Sequence, residues 1–247
     1  DVSEIQKIIN KKNIYLIEDC ALALGAKYKD RKTGNLGESG CFSFYPVKHI
    51  TTAEGGMITT NNKLFADKLK RIKAFGYDRN LNNRKIPGVY DVIDLGFNYR
   101  MSELHASIGI AQLKKLKNFL KQRKLNYSYL SEKIRGFKEV HQFLNLNVEK
   151  EHSYYCLNIV FKKKFKINRN SFIIWLKNNN VGVSVHYPRA LPSLKYYKKK
   201  YDHKKDDFHI ANWIAENTIS LPVGPHLKID DMDYIFEKIK EGLRNSV

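Results

Sequence analysis

Residues 2–19 place a helix directly ahead of a short, uninterrupted apolar run, and that juxtaposition restricts the possible folds more than any other feature of the chain. Val2, Ile5, Ile8 and Ile9 recur at helical spacing, and Ile14-Tyr-Leu-Ile17 then reads as a strand buried on both faces. A helix feeding a doubly buried strand is the rhythm of an α/β fold with a parallel sheet. Further short strands are predicted at Cys41–Phe44 and Gly56–Thr60, followed by an amphipathic helix from Leu64 to Phe75. Residues 76–98, rich in Asn, Arg and Gly, read as a long loop, a length usually tied to function or disorder. Ser102 is a suitable N-cap for a long helix through Leu104, Ile108, Leu113, Leu116 and Leu120. Beyond residue 121 the pattern turns to mixed α+β: a strand at Tyr155–Phe161, a helix at Ser171–Asn178, a strand at Val181–His186 and a final helix at Asp231–Leu243. The division is placed near residue 120, giving domains 1–120 and 121–247. Because a parallel strand needs neighbours that the following segments do not supply, residues preceding Asp1 are expected to be missing.

Composition narrows the class without choosing a ligand. The 247 residues are 43% hydrophobic and 28% charged, enough apolar material for a sizeable core. No stretch approaches the roughly 20 apolar residues of a membrane span, and the first residues lack a signal-peptide run, so a cytoplasmic protein is expected. The net charge of +19 admits nucleic acid, an anionic membrane surface or phosphorylated small molecules as partners. The basic residues are spread along the chain, with small clusters at 162–164, 198–200 and 204–205, which also suits solvated faces. Three cysteines without a C-x-x-C spacing form neither a disulfide framework nor a zinc site, and no metal is expected.

In open α/β sheets ligands collect outside the carboxyl ends of the strands. The first strand ends in Glu18-Asp19, where a carboxylate could bind a metal, a ribose or a protonated ring nitrogen, or cap a helix over Ala21–Ala26. The second runs into Phe42-Ser-Phe-Tyr-Pro-Val-Lys-His49, so that Lys48 sits on a turn after a buried strand rather than on a solvated helix face. A lysine partly desolvated in such a place loses proton affinity and can act as an amine nucleophile.

Three ordered blocks, residues 17–26 (IEDCALALGA), 42–58 (FSFYPVKHITTAEGGMI) and 95–116 (LGFNYRMSELHASIGIAQLKKL), resemble the signature segments of the DegT/DnrJ/StrS family of pyridoxal-phosphate-dependent sugar aminotransferases. The closing segment 221–239 resembles that family's C-terminal end. The resemblance implies a fold-type I pyridoxal-phosphate-dependent transferase: part of a large domain with a mainly parallel sheet, and a smaller α+β domain. It implies pyridoxal 5'-phosphate as cofactor. Asp19 matches the aspartate that pairs with the pyridine nitrogen, Lys48 the lysine that forms the Schiff base and shuttles a proton, and Ser43 a serine on the cofactor phosphate. Asn98 matches an asparagine that reaches the phosphate of the cofactor held by a neighbouring subunit, which implies a homodimer with shared active sites. His186 and Tyr187 resemble a segment near the sugar, although a structural pair would read the same way. Arg100 could hold an anionic group of the substrate or donor, cap a helix, or pair with Glu103. The implied substrates are a nucleotide-linked keto-sugar and an amino-acid donor such as glutamate; neither nucleic acid nor membrane is implied.

The chain also departs from that pattern. Leu22 stands where the family places Gln or His, and the hydrogen bond it cannot donate is worth about 1 kcal/mol. His49 follows the lysine where Asn is common. The glycine/serine/threonine phosphate turn and the ring-stacking aromatic of the family's N-terminal portion are absent from the sequence. Competing expectations are a sugar dehydratase, against which the lysine at position 48 counts, a truncated or inactive paralogue, and a basic nucleic-acid-binding module, for which no motif is present.

Overall fold

The computed structural model describes residues 1–78, 86–143, 147–204 and 207–245. Two compact units divide the chain: Asp1–Lys117 with Asn147–Ser153, and Asn118–Leu146 with Tyr154–Val247.

The first unit opens with α1 (Val2–Ile9), whose N-terminus is capped by Asp1, and β1 (Ile17–Asp19). Two two-residue strands follow, β2 (Lys27–Tyr28) and β3 (Arg31–Lys32), then β4 (Ser39–Ser43), β5 (Gly56–Thr59) and α2 (Lys63–Ile72). The sheet that positions the candidate site has the order β1-β4-β5. β1 and β4 are parallel with Asp19 opposite Cys41, and β4 and β5 are antiparallel with Ser43 opposite Gly56. Asn62 caps α2 by accepting a hydrogen bond from the Phe65 amide. Ser102 caps α3 (Glu103–Ile134) in the same way through the His105 amide, as its sequence context predicts. The division between the units falls within α3.

The second unit is an antiparallel sheet packed with helices. After α3 come β6 (Val140–Gln142), β8 (Leu157–Phe161), α4 (Arg169–Asn178), α5 (Lys195–Tyr201), α6 (His209–Asn217), β9 (Thr218–Leu221) and α7 (Ile229–Arg244); β7 (Lys150–Glu151), between β6 and β8 in the chain, belongs to the first unit and pairs there with β2. The sheet order is β6-β8-β9. Leu157, Ile159 and Phe161 of β8, Phe172 and Leu176 of α4, Ile219 and Leu221 of β9, and Met232, Ile235 and Ile239 of α7 form one buried core with Leu130 and Ile134 of α3. Each such side chain contributes about 1.5–3 kcal/mol of burial. Asn126 is wholly buried within this unit, and its amide donates to the carbonyls of Gly224 and Leu227 while accepting from Gln122.

Several expectations need correction. The first strand begins where the predicted run ends, and Ile14, Tyr15 and Ile17 are exposed rather than buried on both faces. The physical reason is that β1 has one strand neighbour, β4, among the described residues. Among the described residues the pairing of β1 with β4 is parallel, whereas the other ladders are antiparallel. Residues Val181–His186 do not form a strand; they touch β9 at a single bridge, Ser184 with Ser220. The loop predicted at 76–98 is irregular over its described part, with bridges Ala74–Asn98 and Tyr77–Val92, and its residues 79–85 lie outside the described residues. Lys205 of the predicted cluster at 204–205 also lies outside them.

Candidate active site

The paired carboxylates of β1 separate because successive strand residues point to opposite faces. Glu18 accepts three backbone hydrogen bonds from the 34–37 loop: Gly34 N at 2.8 Å, Leu36 N at 2.7 Å and Gly37 N at 2.9 Å. Gly34 holds φ +85°, and a Cβ there would lie 2.6 Å from the Phe42 ring, so the loop that binds Glu18 requires glycine. Glu18 is therefore committed to the fold. Asp19 is exposed, and its bonding among the described residues is one hydrogen bond accepted from the Ala21 amide at 3.0 Å. No helix begins there: residues 21–26 form turns closed by Ala23 N to Cys20 O and Ala26 N to Ala23 O, so the N-cap alternative is replaced by an Asx turn. Cys20, beside Asp19, is buried, and desolvation, reinforced by the charge of Glu18, pushes its thiol up to about 11, so it is an inert group rather than a nucleophile.

Ser43 ends β4, and because β1 and β4 are parallel it lies at the same carboxyl end of the sheet as Asp19. Tyr45-Pro46-Val47-Lys48 then makes a β-turn closed by Lys48 N donating to Tyr45 O at 3.0 Å, with proline at the position that favours it. The loop is pinned at its base by Phe44: its amide donates to Gly55 O, and its carbonyl accepts from Thr52 N and Thr51 Oγ1. Ala53 sits in the left-handed region at φ +65°, and a Cβ on Gly55 (φ +152°) would lie 2.4 Å from Thr52 Oγ1 and 2.8 Å from Met101 Cε. The Lys48 loop thus closes against Met101, three residues beyond Asn98. Lys48 is half-buried, and among the described residues its amine makes neither an ion pair nor a hydrogen bond. An unpaired amine on a tightly held turn is suited to nucleophilic chemistry.

The two departures in sequence prove to be joined. His49 is buried, its Nε2 2.9 Å from Ser153 O, and a carbonyl can only accept, so that nitrogen carries the proton. Ser153 Oγ in turn donates to Leu22 O at 2.6 Å. Ser153 thereby ties the turn after Lys48 to the turn after Asp19 through the backbone carbonyl of Leu22. Sequence reading missed Ser153, which lies 104 residues from His49 and carries no local signal.

Asn98 and Arg100 are exposed on a segment laid along the end of α2, with Phe97 N donating to Ile72 O and Tyr99 N to Lys73 O. The Arg100 guanidinium lies 4.5 Å from the centroid of the Phe75 ring, so it neither caps a helix nor pairs with Glu103 among the described residues. In the second unit His186 stacks edge-on to Tyr187 at 4.7 Å and to Tyr155 at 5.6 Å. Arg123, buried on α3, donates to Tyr155 O at 2.9 Å and lies 5.9 Å from the Tyr155 ring. Desolvation lowers its pKa from the ordinary arginine value and raises that of the Tyr155 phenol. The structure therefore brings Asp19, Ser43 and Lys48 to one sheet end, and gives His186-Tyr187 a buried arginine and a tyrosine as support that sequence reading did not single out.

Among the described residues no helix is long and apolar enough to cross a membrane, and no group of His, Cys, Asp and Glu has metal-site geometry.

Comparison with solved structures identifies the fold as that of fold-type I pyridoxal-phosphate-dependent aminotransferases. PseC from Helicobacter pylori, an aminotransferase involved in pseudoaminic acid biosynthesis, superposes with a TM-score of 0.89 at 23% identity, covering 99% of this chain and 64% of that one. An aminotransferase from Psychrobacter cryohalolentis superposes at 0.88 with 25% identity, covering 99% and 65%. The sequence pattern of the DegT/DnrJ/EryC1/StrS aminotransferase family matches residues 1–240, and the chain belongs to that family. Protein MJ1066 of Methanocaldococcus jannaschii is 36% identical over 98% of this chain and 63% of its own length. The UDP-4-amino-4,6-dideoxy-N-acetyl-beta-L-altrosamine transaminase of Campylobacter jejuni is 31% identical over 98% and 64%, and the GDP-perosamine synthase of Vibrio cholerae 32% over 97% and 62%. The chain spans less than two thirds of the length of each of these relatives.

Proposed function

We propose that the protein of which this chain is part transfers an amino group from an amino acid, glutamate, to a nucleotide-linked keto-sugar for cell-surface polysaccharide or related sugar synthesis, using pyridoxal 5'-phosphate. The observation that carries the reading is the unpaired amine of Lys48 on its proline turn, at the same sheet end as Ser43 and the exposed carboxylate of Asp19. Family membership and the nucleotide-sugar names of two relatives support it.

These donors suit the cofactor. Asp19 would hold the proton on the ring nitrogen, Ser43 would hydrogen-bond the phosphate, and Lys48 would bind the aldehyde carbon. When bound, pyridoxal phosphate supplies an electron sink for charge developing at the donor's α-carbon. Lys48 Nζ moves the proton at that carbon, and its strained loop holds the amine in place while Ser153 ties the loop to the Asp19 turn. Arg100 is read as a contact for an anionic group of donor or substrate, and His186 and Tyr187 as sugar contacts supported by Arg123. Residues 1–120 are read as part of the cofactor-binding domain and 121–247 as the smaller domain.

A homodimer with shared sites is part of the proposal. Leu95, Phe97 and Tyr99 are 83%, 45% and 72% exposed around Asn98, an apolar stripe that a second copy would cover while Asn98 reaches its cofactor phosphate. The place of action is proposed to be the cytoplasm.

The test is to load the protein with pyridoxal phosphate, follow the visible absorbance on adding glutamate, and screen keto-sugar nucleotides for its return and for a product carrying an added amine. Lys48→Ala is expected to abolish both responses. Transamination retained in Lys48→Ala would overturn the assignment, and a product that has lost oxygen instead would make the protein a dehydratase.

A further inference from the structure

The long helix α3 carries a single glycine, Gly109, and glycine in a helix interior is destabilising relative to alanine, so its place there calls for a reason. Gly109 is buried although its neighbours Ile108 and Ile110 are 42% and 58% exposed, so the helix is covered closely at this one point. Thr52 covers it: a Cβ on Gly109 would lie 2.9 Å from Thr52 Cγ2, against an ordinary carbon–carbon contact of about 3.5–4.0 Å. The threonine has no free way to swing that methyl aside. It is 1% exposed, its hydroxyl donates to Glu54 O at 2.8 Å, and β-branching makes its side-chain torsion stiff. Its amide donates to Phe44 O at 2.9 Å, which closes the loop that carries Lys48 midway between the two ends. Phe44 directly follows β4, so one root of that loop stands on the sheet and the other on α3.

We propose that Gly109 and Thr52 are a positioning pair for Lys48: the missing Cβ on α3 lets Thr52 seat against the helix, and that seat fixes where the loop presents the amine. The inference rests on the reading of Lys48 as the reacting lysine and deepens it. A methyl on Gly109 presses on a side chain that has little room to rotate, so the displacement passes to the loop backbone between Phe44 and Thr52. The shortfall against ordinary contact is about 0.6–1.1 Å. A misplacement of about 1 Å at a reacting group can cost about 10²-fold in rate. Thr52→Ser deletes the methyl that the new group would strike and keeps both the hydroxyl and the backbone bond, so it is the matched compensation.

The experiment compares the full chain with Gly109→Ala, Gly109→Ala/Thr52→Ser and Gly242→Ala, the last being an equally tight substitution in the second unit. Trace acetylation without cofactor, mapped by mass spectrometry, gives the labelling of Lys48 relative to Lys63, an exposed lysine on α2. Lys48 is half-buried, and Gly109→Ala is expected to raise that ratio about twofold or more as the loop lifts off α3. The double variant is expected to return it to the parent's value, and Gly242→Ala to leave it there. A ratio that does not double in Gly109→Ala, a double variant without rescue, or the same rise in Gly242→Ala would each overturn the proposal. Should Gly109→Ala fail to fold, Thr52→Ala, which gives up methyl and hydroxyl together, is expected to double the ratio, and a ratio that does not double overturns it. In a second readout, the rate at which pyridoxal phosphate labels Lys48 under borohydride is expected to fall about tenfold or more in Gly109→Ala and to recover in the double variant; an unchanged rate overturns the proposal. If the parent chain takes no such label on Lys48, the cofactor reading falls, while the acetylation ratios still decide the positioning pair.

Discussion

Glu18 and Asp19 are adjacent carboxylates with opposite assignments, and neutralising each in turn tests the reasoning. In Glu18→Gln one oxygen becomes an amide. Either Gly34 N, or Leu36 N and Gly37 N together, then face a donor instead of an acceptor. Charge-assisted bonds are worth about 1.5–3 kcal/mol each, and the half-buried position of Glu18 discounts that, leaving a loss of about 2–3 kcal/mol. For a chain of this size that lowers the melting temperature by about 4–12 °C. In Asp19→Asn the remaining carbonyl oxygen still accepts from Ala21 N, so the change in stability is expected to stay within about 0.5 kcal/mol. The assay is thermal unfolding by circular dichroism of the two variants beside the parent, followed by titration with pyridoxal phosphate. Glu18→Gln should melt early, and Asp19→Asn should melt normally yet lose cofactor affinity or its characteristic absorbance. The reverse order of melting temperatures would refute the division of labour along β1.

Three further outcomes follow from the geometry. Ser153→Ala removes the bond to Leu22 O and is expected to cost about 1 kcal/mol while raising amide exchange in residues 44–52; Ser153→Thr should restore both, and unchanged exchange in the alanine variant would refute the coupling. Hydrogen bonds from Lys133 and Tyr129 depress Asp233 below its ordinary value of 3.8, and the same pairing raises Lys133 above 10.5, so their contribution is present between those values, lost as pH falls through the lowered carboxylate value and lost again as pH rises through the raised amine value. The gap in urea midpoint between the parent and Asp233→Asn should accordingly be constant from about pH 5 to about pH 9 and close below about pH 4; a gap that persists in acid contradicts it. Gly242→Ala places a methyl 2.7 Å from Trp175 Nε1 and 2.9 Å from Phe172 Cε2, and overpacking between α4 and α7 is expected to cost about 1–3 kcal/mol in a urea melt; a neutral result would show that the indole can yield.

What could be read in advance was local. Tyr45-Pro-Val-Lys48 announces its turn because proline presets the backbone, and Ser102 announces α3 because a side-chain cap is a neighbour's property. The paired acids at the end of β1 were visible, but which of them serves the fold depends on which face each side chain takes and on where the 34–37 loop returns. The segment Val181–His186 has the composition of a strand yet meets β9 at one bridge, and β2, β3 and β7 are two residues long, too short for any periodicity. Composition registered the basic clusters as surface charge, and Lys163, Lys198 and Lys204 are exposed. Ser153 illustrates the same limit, since its partners at positions 22 and 49 have no sequence relation to it.

Everything functional in this account descends from the amine of Lys48. Incubating the chain with pyridoxal phosphate, reducing with borohydride and mapping the peptides by mass spectrometry places the covalent label directly: the account predicts a phosphopyridoxyl group on Lys48 and its absence in Lys48→Ala, and a label confined to other lysines would contradict it.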